Sequence, residues 1–120
     1  MATILVVDDD RVISQLVAAV LRENGHKVIT AYDAVQALMQ AMRTPPVDAI
    51  VLDVNMPGGS GEDTLKKLKM STRTSDIPVI ILSGSIDAKG QERVRITGAA
   101  AVLSKPLVPA ELLEALTKAL

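Results

Sequence analysis

Residues 2–10 read ATILVVDDD, an apolar run that ends in three adjacent acids, Asp8, Asp9 and Asp10. A short apolar run of this kind predicts a β-strand that is buried on both faces. Two unit charges about 4 Å apart repel each other by roughly 4 kcal/mol at an intermediate dielectric. The stretch therefore predicts a buried strand and, at its end, a site where something offsets the repulsion between carboxylates.

Strand-like and helix-like segments alternate along the rest of the chain. DAIVLD and IPVIILS predict two further buried strands, and the shorter runs KVITA and AAVLS predict edge or late strands. Between these runs, apolar residues recur with helical spacing, as in Ile13, Leu16, Val17, Val20 and Leu21. Asp10 and Asp33 are predicted to cap the first two helices, and Ser60 the third. Five strand–helix units predict an α/β fold, with a parallel sheet between two helical layers.

Two segments give weaker signals. Met39 and Met42 continue the helical stripe that begins with Val35 and Leu38, so we interpret both methionines as core residues. The fourth helix, predicted around residues 87–97, has few apolar residues. We expect it to be the least firmly docked helix.

Length and composition exclude several classes of function. The 120 residues predict one domain, over residues 1–120. A net charge of −1 and a single aromatic residue, Tyr32, argue against nucleic-acid binding, which relies on basic patches and aromatic stacking. No apolar stretch approaches the ~20 residues of a membrane span, and no secretory signal is visible, so we expect no membrane partner. The absence of Cys fits a cytoplasmic setting. His26 has no neighbouring ligand residue and is interpreted as a surface residue.

Polar side chains follow four of the predicted strands. They are Asp8 and Asp9 after the first, Asp53 after the third, Ser83 after the fourth and Lys105 after the fifth. The carboxyl ends of parallel strands form the ligand site of such folds. Clustered carboxylates suit Mg²⁺, and a carboxylate beside the ion can act as a nucleophile toward phosphorus. A hydroxyl and an ammonium group can stabilise phosphoryl oxygens.

Together with their flanks, these residues resemble a known family. The stretches ILVVDDD, IVLDVNMPGGSG, VIILSG and GAAAVLSKPL are similar to the receiver domains of two-component response regulators, and the similarity covers essentially the whole chain. It implies a flavodoxin-like doubly wound sheet of five parallel strands in the order 2-1-3-4-5, with five helices. It also implies a signalling switch rather than an enzyme that turns over a metabolite, with Mg²⁺-dependent autophosphorylation and autodephosphorylation. The implied partners are a histidine kinase or histidine phosphotransfer protein, a downstream effector and, on phosphorylation, a second copy.

The resemblance assigns roles to individual positions. Asp53 matches the phosphoacceptor, Ser83 the hydroxyl that turns toward the phosphoryl group, and Lys105 the family's lysine. The bond between Lys105 and Pro106 is therefore a candidate cis peptide. The implied metal ligands are Asp8, Asp9, Asp53 and the backbone carbonyl of Asn55.

One position departs from the family pattern. Val102 stands where many receiver domains have Tyr or Phe, so coupling through a swinging aromatic ring cannot occur in that form. We expect displacement of the loop over residues 83–88, with Gly84 and Gly90 as soft points, to carry the signal instead.

Two other functions compete with the receiver interpretation. DDDRV also fits the motif of haloacid-dehalogenase-type phosphatases, in which Asp8 would be the nucleophile and Asp10 the acid or base. That alternative leaves Asp53 unexplained, and the chain is too short for the cap domain. A binding adaptor that is not phosphorylated is the third alternative, and only Val102 favours it.

Overall fold

The computed structural model describes residues 2–54 and 61–120, which form alternating strands and helices. The strands are β1 (Thr3–Val7), β2 (Lys27–Ala31), β3 (Ala49–Asp53), β4 (Val79–Ser83) and β5 (Ala101–Ser104). The helices are α1 (Arg11–Glu23), α2 (Ala34–Ala41), α3 (Gly61–Met70), α4 (Ala88–Thr97) and α5 (Pro109–Ala119). All strand pairs are parallel, in the order β2-β1-β3-β4-β5. The predicted fold and strand order are confirmed.

The sheet is buried because helices cover both of its faces. Every residue of β3 and β4 is buried, as their continuous apolar runs predict. Successive side chains of a strand point to opposite faces, so Leu5 and Val7 join one core while Ile4 and Val6 join the other. The first core takes residues of α2, α3 and α4, and the second takes residues of α1 and α5.

The predicted helix caps explain where α1 and α2 begin. Asp10 Oδ1 accepts hydrogen bonds from the N–H groups of Val12 and Ile13, at 2.9 and 3.2 Å. Asp33 Oδ1 accepts one from the N–H of Gln36, at 2.8 Å. Both caps satisfy helix donors that have no partner within the helix. The cap predicted at position 60 lies outside the described residues.

The prediction that Met39 and Met42 belong to the core is wrong. Their exposed fractions are 70% and 37%, whereas the buried residues of α2 are Ala37 and Ala41, and Leu38 packs against the same core. Small alanines allow the helix axis to approach the sheet closely, which rotates the methionines toward solvent. Sequence periodicity grouped the methionines with Leu38, which does pack on the core, because it scores hydrophobicity and not side-chain size.

Helix α4 buries few of its residues, and the expectation that it is the least firmly docked helix stays a prediction. Its buried residues are Gly90 and Val94, while Ile96 is exposed. A Cβ at position 90 would lie 2.6 Å from Ile86 Cγ1, so Gly90 is needed for packing against the preceding loop. None of the helices formed by the described residues is long and apolar enough to cross a membrane.

Candidate functional site

The carboxyl ends of four strands meet at one edge of the sheet. Asp8 directly follows β1, Asp53 and Ser83 are the last residues of β3 and β4, and Lys105 directly follows β5. The strands are in register there, since Ser83 pairs with Ser104 and the Lys105 N–H donates to the Ser83 carbonyl at 2.8 Å. The topology therefore brings together residues that are far apart in sequence.

The Lys105 ammonium group lies between two buried carboxylates. Lys105 Nζ is 3.1 Å from Asp8 Oδ2 and 3.5 Å from Asp53 Oδ2. Asp8 and Asp53 are each only 3% exposed. This cation offsets part of the repulsion between carboxylates that the opening stretch of sequence predicts. Asp9 is exposed, and one carboxylate oxygen from each of Asp8, Asp9 and Asp53 lies within 4.8 Å of the others.

The electrostatics of the site follow from burial and from these contacts. Burial raises the pKa of Asp8, and the negative charge of Asp53 raises it further; the Asp10 N–H and Lys105 only partly oppose this rise. For Lys105, burial lowers the pKa, but the hydrogen bond to Asp8 and the charges of Asp8 and Asp53 outweigh it, so the pKa is raised. Lys105 is therefore a cation at neutral pH. Three carboxylates against one ammonium leave excess negative charge, which a hard cation could offset.

Asp10 is separate from this cluster. Its Oδ1 is occupied by the α1 cap, and its own N–H donates to Asp8 Oδ1 at 2.9 Å. The carboxylate is exposed, and its Oδ1 accepts hydrogen bonds from the N–H groups at the start of α1. This geometry argues against the phosphatase alternative, which requires Asp10 as the acid or base.

Comparison with known proteins is decisive for the family. The family model of the response regulator receiver domain matches residues 4–117. The chain belongs to this family. The phosphate regulon transcriptional regulatory protein PhoB of Escherichia coli is 41% identical over 113 residues, covering 91% of this chain and 47% of PhoB. The sensory/regulatory protein RpfC of Xanthomonas campestris is 35% identical over 114 residues, covering 93% of this chain and 16% of RpfC. The chain thus spans about half or less of these curated relatives.

Solved structures agree with this assignment. A chemotaxis protein of Vibrio cholerae has a TM-score of 0.92 and 33% identity, and the match covers 100% of this chain and 99% of that one. A Francisella response regulator receiver domain has a TM-score of 0.88 and 31% identity, covering 99% and 96% of the two chains. The receiver domain fold is shared along the whole length compared.

The remaining predicted residues of the receiver site have different outcomes. Ser83 is buried at the end of β4, the strand that pairs with β3, and its Oγ accepts the Ser85 N–H at 3.3 Å. The Lys105–Pro106 bond is cis, as the resemblance implies. Asn55 lies outside the described residues. A Cβ at Gly84 would make only an ordinary 3.7 Å contact with Lys105 Cδ, so packing does not require glycine there.

Two contacts near the receiver site were not predicted. The Arg11 guanidinium lies 4.0 Å from the centre of the Tyr32 ring, a cation–π contact between the start of α1 and the residue after β2. Arg93 Nε lies 3.0 Å from Glu62 Oε1 and joins α4 to α3. Arg11 directly follows the three acids in the sequence, which was a usable signal that its side chain lies near the site. Glu62 and Arg93 are 31 residues apart, and nothing in the sequence links them.

Proposed function

We propose that this receiver domain accepts a phosphoryl group on Asp53 from a phosphohistidine of its partner, in a reaction that requires Mg²⁺. One observation carries the proposal: a lysine ammonium group lies 3.1 Å from Asp8 and 3.5 Å from Asp53, at a site with a net excess of carboxylates. Asp53 is the buried carboxylate at the centre of the sheet edge, where an incoming phosphoryl group would meet both Lys105 and Ser83.

The proposed step transfers a phosphoryl group between two nucleophiles. A carboxylate oxygen of Asp53 forms a bond to phosphorus while the P–N bond of the donor breaks, and the bonding electrons return to the imidazole nitrogen. Lys105 neutralises charge on one phosphoryl oxygen, and the Ser83 hydroxyl donates a hydrogen bond to another. Attack by water on phosphorus later releases inorganic phosphate and restores Asp53.

Asp8, Asp9 and Asp53 are the residues that we expect to hold the metal, together with the backbone carbonyl of Asn55. Their oxygens lie within 4.8 Å of one another, and hard carboxylate oxygens are the donors that Mg²⁺ prefers. The ion, when bound, neutralises negative charge on the phosphoryl group. Asp8 and Asp9 would hold the ion, and Lys105, 3.1 Å from Asp8 and 3.5 Å from Asp53, would offset part of the negative charge that remains.

The switching role rests on the family. We propose a histidine kinase or histidine phosphotransfer protein as the phosphodonor, and a downstream effector protein or domain as the receiver of the signal. PhoB is named as a transcriptional regulatory protein and RpfC as a sensory/regulatory protein, which supports both kinds of linkage. Residues 1–120 would act as one domain in the cytoplasm, and phosphorylation would shift the population of conformations, including a homodimer.

The route of the signal in this chain must differ from ring rotation. Val102 is half-buried and packs against the core that contains Val94 of α4. We propose that phosphorylation displaces the loop over residues 83–88 and that Ile86, which packs against Gly90, passes the displacement to α4. Unchanged amide exchange in this loop on adding a phosphoryl mimic would refute that route.

The phosphoacceptor assignment is tested by labelling with acetyl phosphate and Mg²⁺, followed by mass spectrometry of the intact protein. Asp53→Asn should abolish labelling, because the amide cannot attack phosphorus. Asp10→Asn is the matched control and should be labelled like the wild type, since Asn also caps helices well. Labelling that survives in Asp53→Asn but is lost in Asp8→Asn would support the phosphatase alternative instead.

A further inference from the structure

A half-enclosed groove lies at the opposite end of the sheet from Asp53. It has a volume of about 560 Å³ and runs beside β2, the strand at the edge of the sheet. We call it the edge groove; its lining includes Arg22, Lys27, Val28, Ile29, Arg43 and Pro45. The proposed phosphotransfer uses none of these residues, so the edge groove needs a separate explanation.

The edge groove is cationic, and its charges come from three separate elements. Arg22 belongs to α1, which packs on one face of the sheet, and Arg43 follows α2, which packs on the other. Lys27 begins the edge strand that lies between these two layers. Within residues 2–54 and 61–120, no carboxylate lies within 4.0 Å of the charged nitrogens of these three side chains. The two arginines therefore flank the strand edge from opposite faces, with their charges available to a partner.

The backbone of β2 presents hydrogen-bonding groups along the strand edge that starts in this groove, and Val28 is part of the groove's lining. The Lys27 N–H donates to the Ala2 carbonyl, and the Ala31 carbonyl accepts from the Asp8 N–H, so residues 27, 29 and 31 direct their backbone groups toward β1. Because this direction alternates along a strand, Val28 and Thr30 direct their N–H and C=O groups away from β1. In the described sheet, β1 is the only strand paired with β2. Outward-facing groups of this kind are a template for another strand.

We propose that the edge groove binds an acidic, extended segment of a partner protein, which adds to β2 as an additional strand. Backbone hydrogen bonds to Val28 and Thr30 would fix the segment along the edge. Its side chains would alternate between the two faces of the sheet, so acidic residues at successive positions would meet Arg22 on one face and Arg43 on the other. Lys27 would accept a third acidic side chain near the start of β2.

Charge and backbone chemistry together favour this occupant over others. Nucleic acid has phosphates for the cations but no backbone that matches strand hydrogen bonds. The chain's net charge of −1 also gives it no general attraction for a polyanion.

The proposal is tested with a fluorescein-labelled ten-residue peptide in which acidic pairs, Glu followed by Asp, alternate with pairs of Val followed by Thr. Anisotropy should show binding that weakens at least tenfold in the triple variant Arg22→Glu, Lys27→Glu, Arg43→Glu, because every contact cation is reversed. The matched control, Lys66→Glu, Lys67→Glu, Lys89→Glu, makes the same change in net charge at exposed positions outside the groove. It should weaken binding less than about threefold at 0.15 M salt, where screening confines charge effects to short range. Equal losses in the two variants would overturn the groove as the site.

Strand addition is tested separately from charge. Two peptides of the same sequence are compared, one N-methylated at the odd-numbered positions and the other at the even-numbered positions. In one of them, the methyl groups remove the N–H donors that would face β2. Both peptides keep the same charge. One of the two should lose binding at least tenfold, and the Val28 amide should gain protection from exchange in the presence of the unmethylated peptide. Equal binding of both methylated peptides, or no protection at Val28, would overturn strand addition.

Binding of polyanions and self-association are measured as alternatives to peptide binding. The proposal would be overturned if tripolyphosphate or a short DNA duplex bound the groove more tightly than the peptide does. It would also be overturned if sedimentation showed a dimer of the wild type that is absent in the triple variant. Acetyl phosphate labelling of Asp53 in the triple variant serves as the check that the variant is folded. That labelling is expected to be unchanged, so failure of this proposal is distinguishable from failure of the phosphoacceptor assignment.

Discussion

The two ends of the β-sheet carry opposite charges in different environments. At the carboxyl end, Asp8 and Asp53 are buried, and Lys105 lies within 3.5 Å of both. At the amino end, Arg22, Lys27 and Arg43 are exposed around the edge groove. The same parallel topology produces both, since all strands begin at one end and finish at the other.

The difference shows why net charge says little about local function. A total of −1 conceals an acidic site and a basic groove that largely cancel each other. Buried charges change stability because burial removes them from water, whereas exposed charges are screened and add little. We therefore expect substitutions at the carboxyl end to change stability and phosphorylation together, and substitutions at the amino end to change partner binding alone.

The largest effect is expected from Lys105→Met, which removes the cation between two buried carboxylates. Breaking a buried ion pair by removing one partner costs about 3 kcal/mol or more, because the remaining charges are uncompensated. The folded state raises the pKa of Lys105, so its stabilising charge is fully present at neutral pH and is lost only as pH rises through that raised value. Urea unfolding at pH 7 without Mg²⁺ measures the loss, and acetyl phosphate labelling should fall at least a hundredfold.

The matched control is Lys118→Met, which breaks the exposed ion pair with Glu114 at 3.0 Å. Surface pairs of this kind contribute about 0.5 kcal/mol or less. Added Mg²⁺ should stabilise Lys105→Met more than the wild type, because the ion replaces part of the lost positive charge. A Lys105→Met protein as stable as the Lys118→Met control would contradict the electrostatic account of the site.

A smaller effect of opposite sign is expected from Asp8→Asn. Burial and the neighbouring charge of Asp53 raise the pKa of Asp8, so keeping Asp8 ionised costs folding free energy. The neutral amide should therefore stabilise the protein at pH 7 without Mg²⁺, because Lys105 keeps Asp53 as an anionic partner. The gain should be constant above the raised pKa, shrink as pH falls through it, and vanish only below about pH 4, where free aspartate is itself protonated.

Asp10→Asn is the control for this measurement, because it removes the adjacent charge but keeps a good helix cap. Its free energy of unfolding should stay within about 0.5 kcal/mol of the wild type at pH 7. Urea unfolding across the pH range compares the two variants. If Asp8→Asn destabilised the protein at pH 7, its contact with Lys105 would outweigh the cost of burial.

The sequence was sufficient for the fold and for most of the site, for a physical reason. Strands such as AIVLD are buried on both faces, and a polar residue at the end of such a run is conspicuous because the strand residues before it are all apolar. Parallel topology then brings Asp8, Asp53 and Lys105 to one edge whatever the details of packing. The same reasoning separated Asp10 from Asp8 and Asp9, because a cap lies just before its helix.

What could not be predicted depends on side-chain size and on contacts between distant residues. Periodicity assigned Met39 to the core, but the buried stripe of α2 is made of alanines, and size decides which face approaches the sheet. The edge groove gathers Arg22, Lys27 and Arg43 from three elements, and each lies in an ordinary polar segment. Only the fold shows that these segments surround one strand edge.

The smallest effect is expected when the charges of the edge groove are reversed in the triple Glu variant. Each side chain is exposed and without an ion pair among the described residues, so each substitution should change the free energy of unfolding by no more than about 0.5 kcal/mol. The five residues of β1 separate the groove from the acidic cluster by roughly 16 Å, about two Debye lengths at 0.15 M salt. Mg²⁺ affinity, measured by calorimetry, should therefore change less than about twofold, whereas Asp9→Asn should weaken it at least tenfold. Equal changes of Mg²⁺ affinity in both variants would show that the two ends of the sheet are coupled. Because salt screens direct charge interactions over this distance, such coupling would have to pass through the structure of β1.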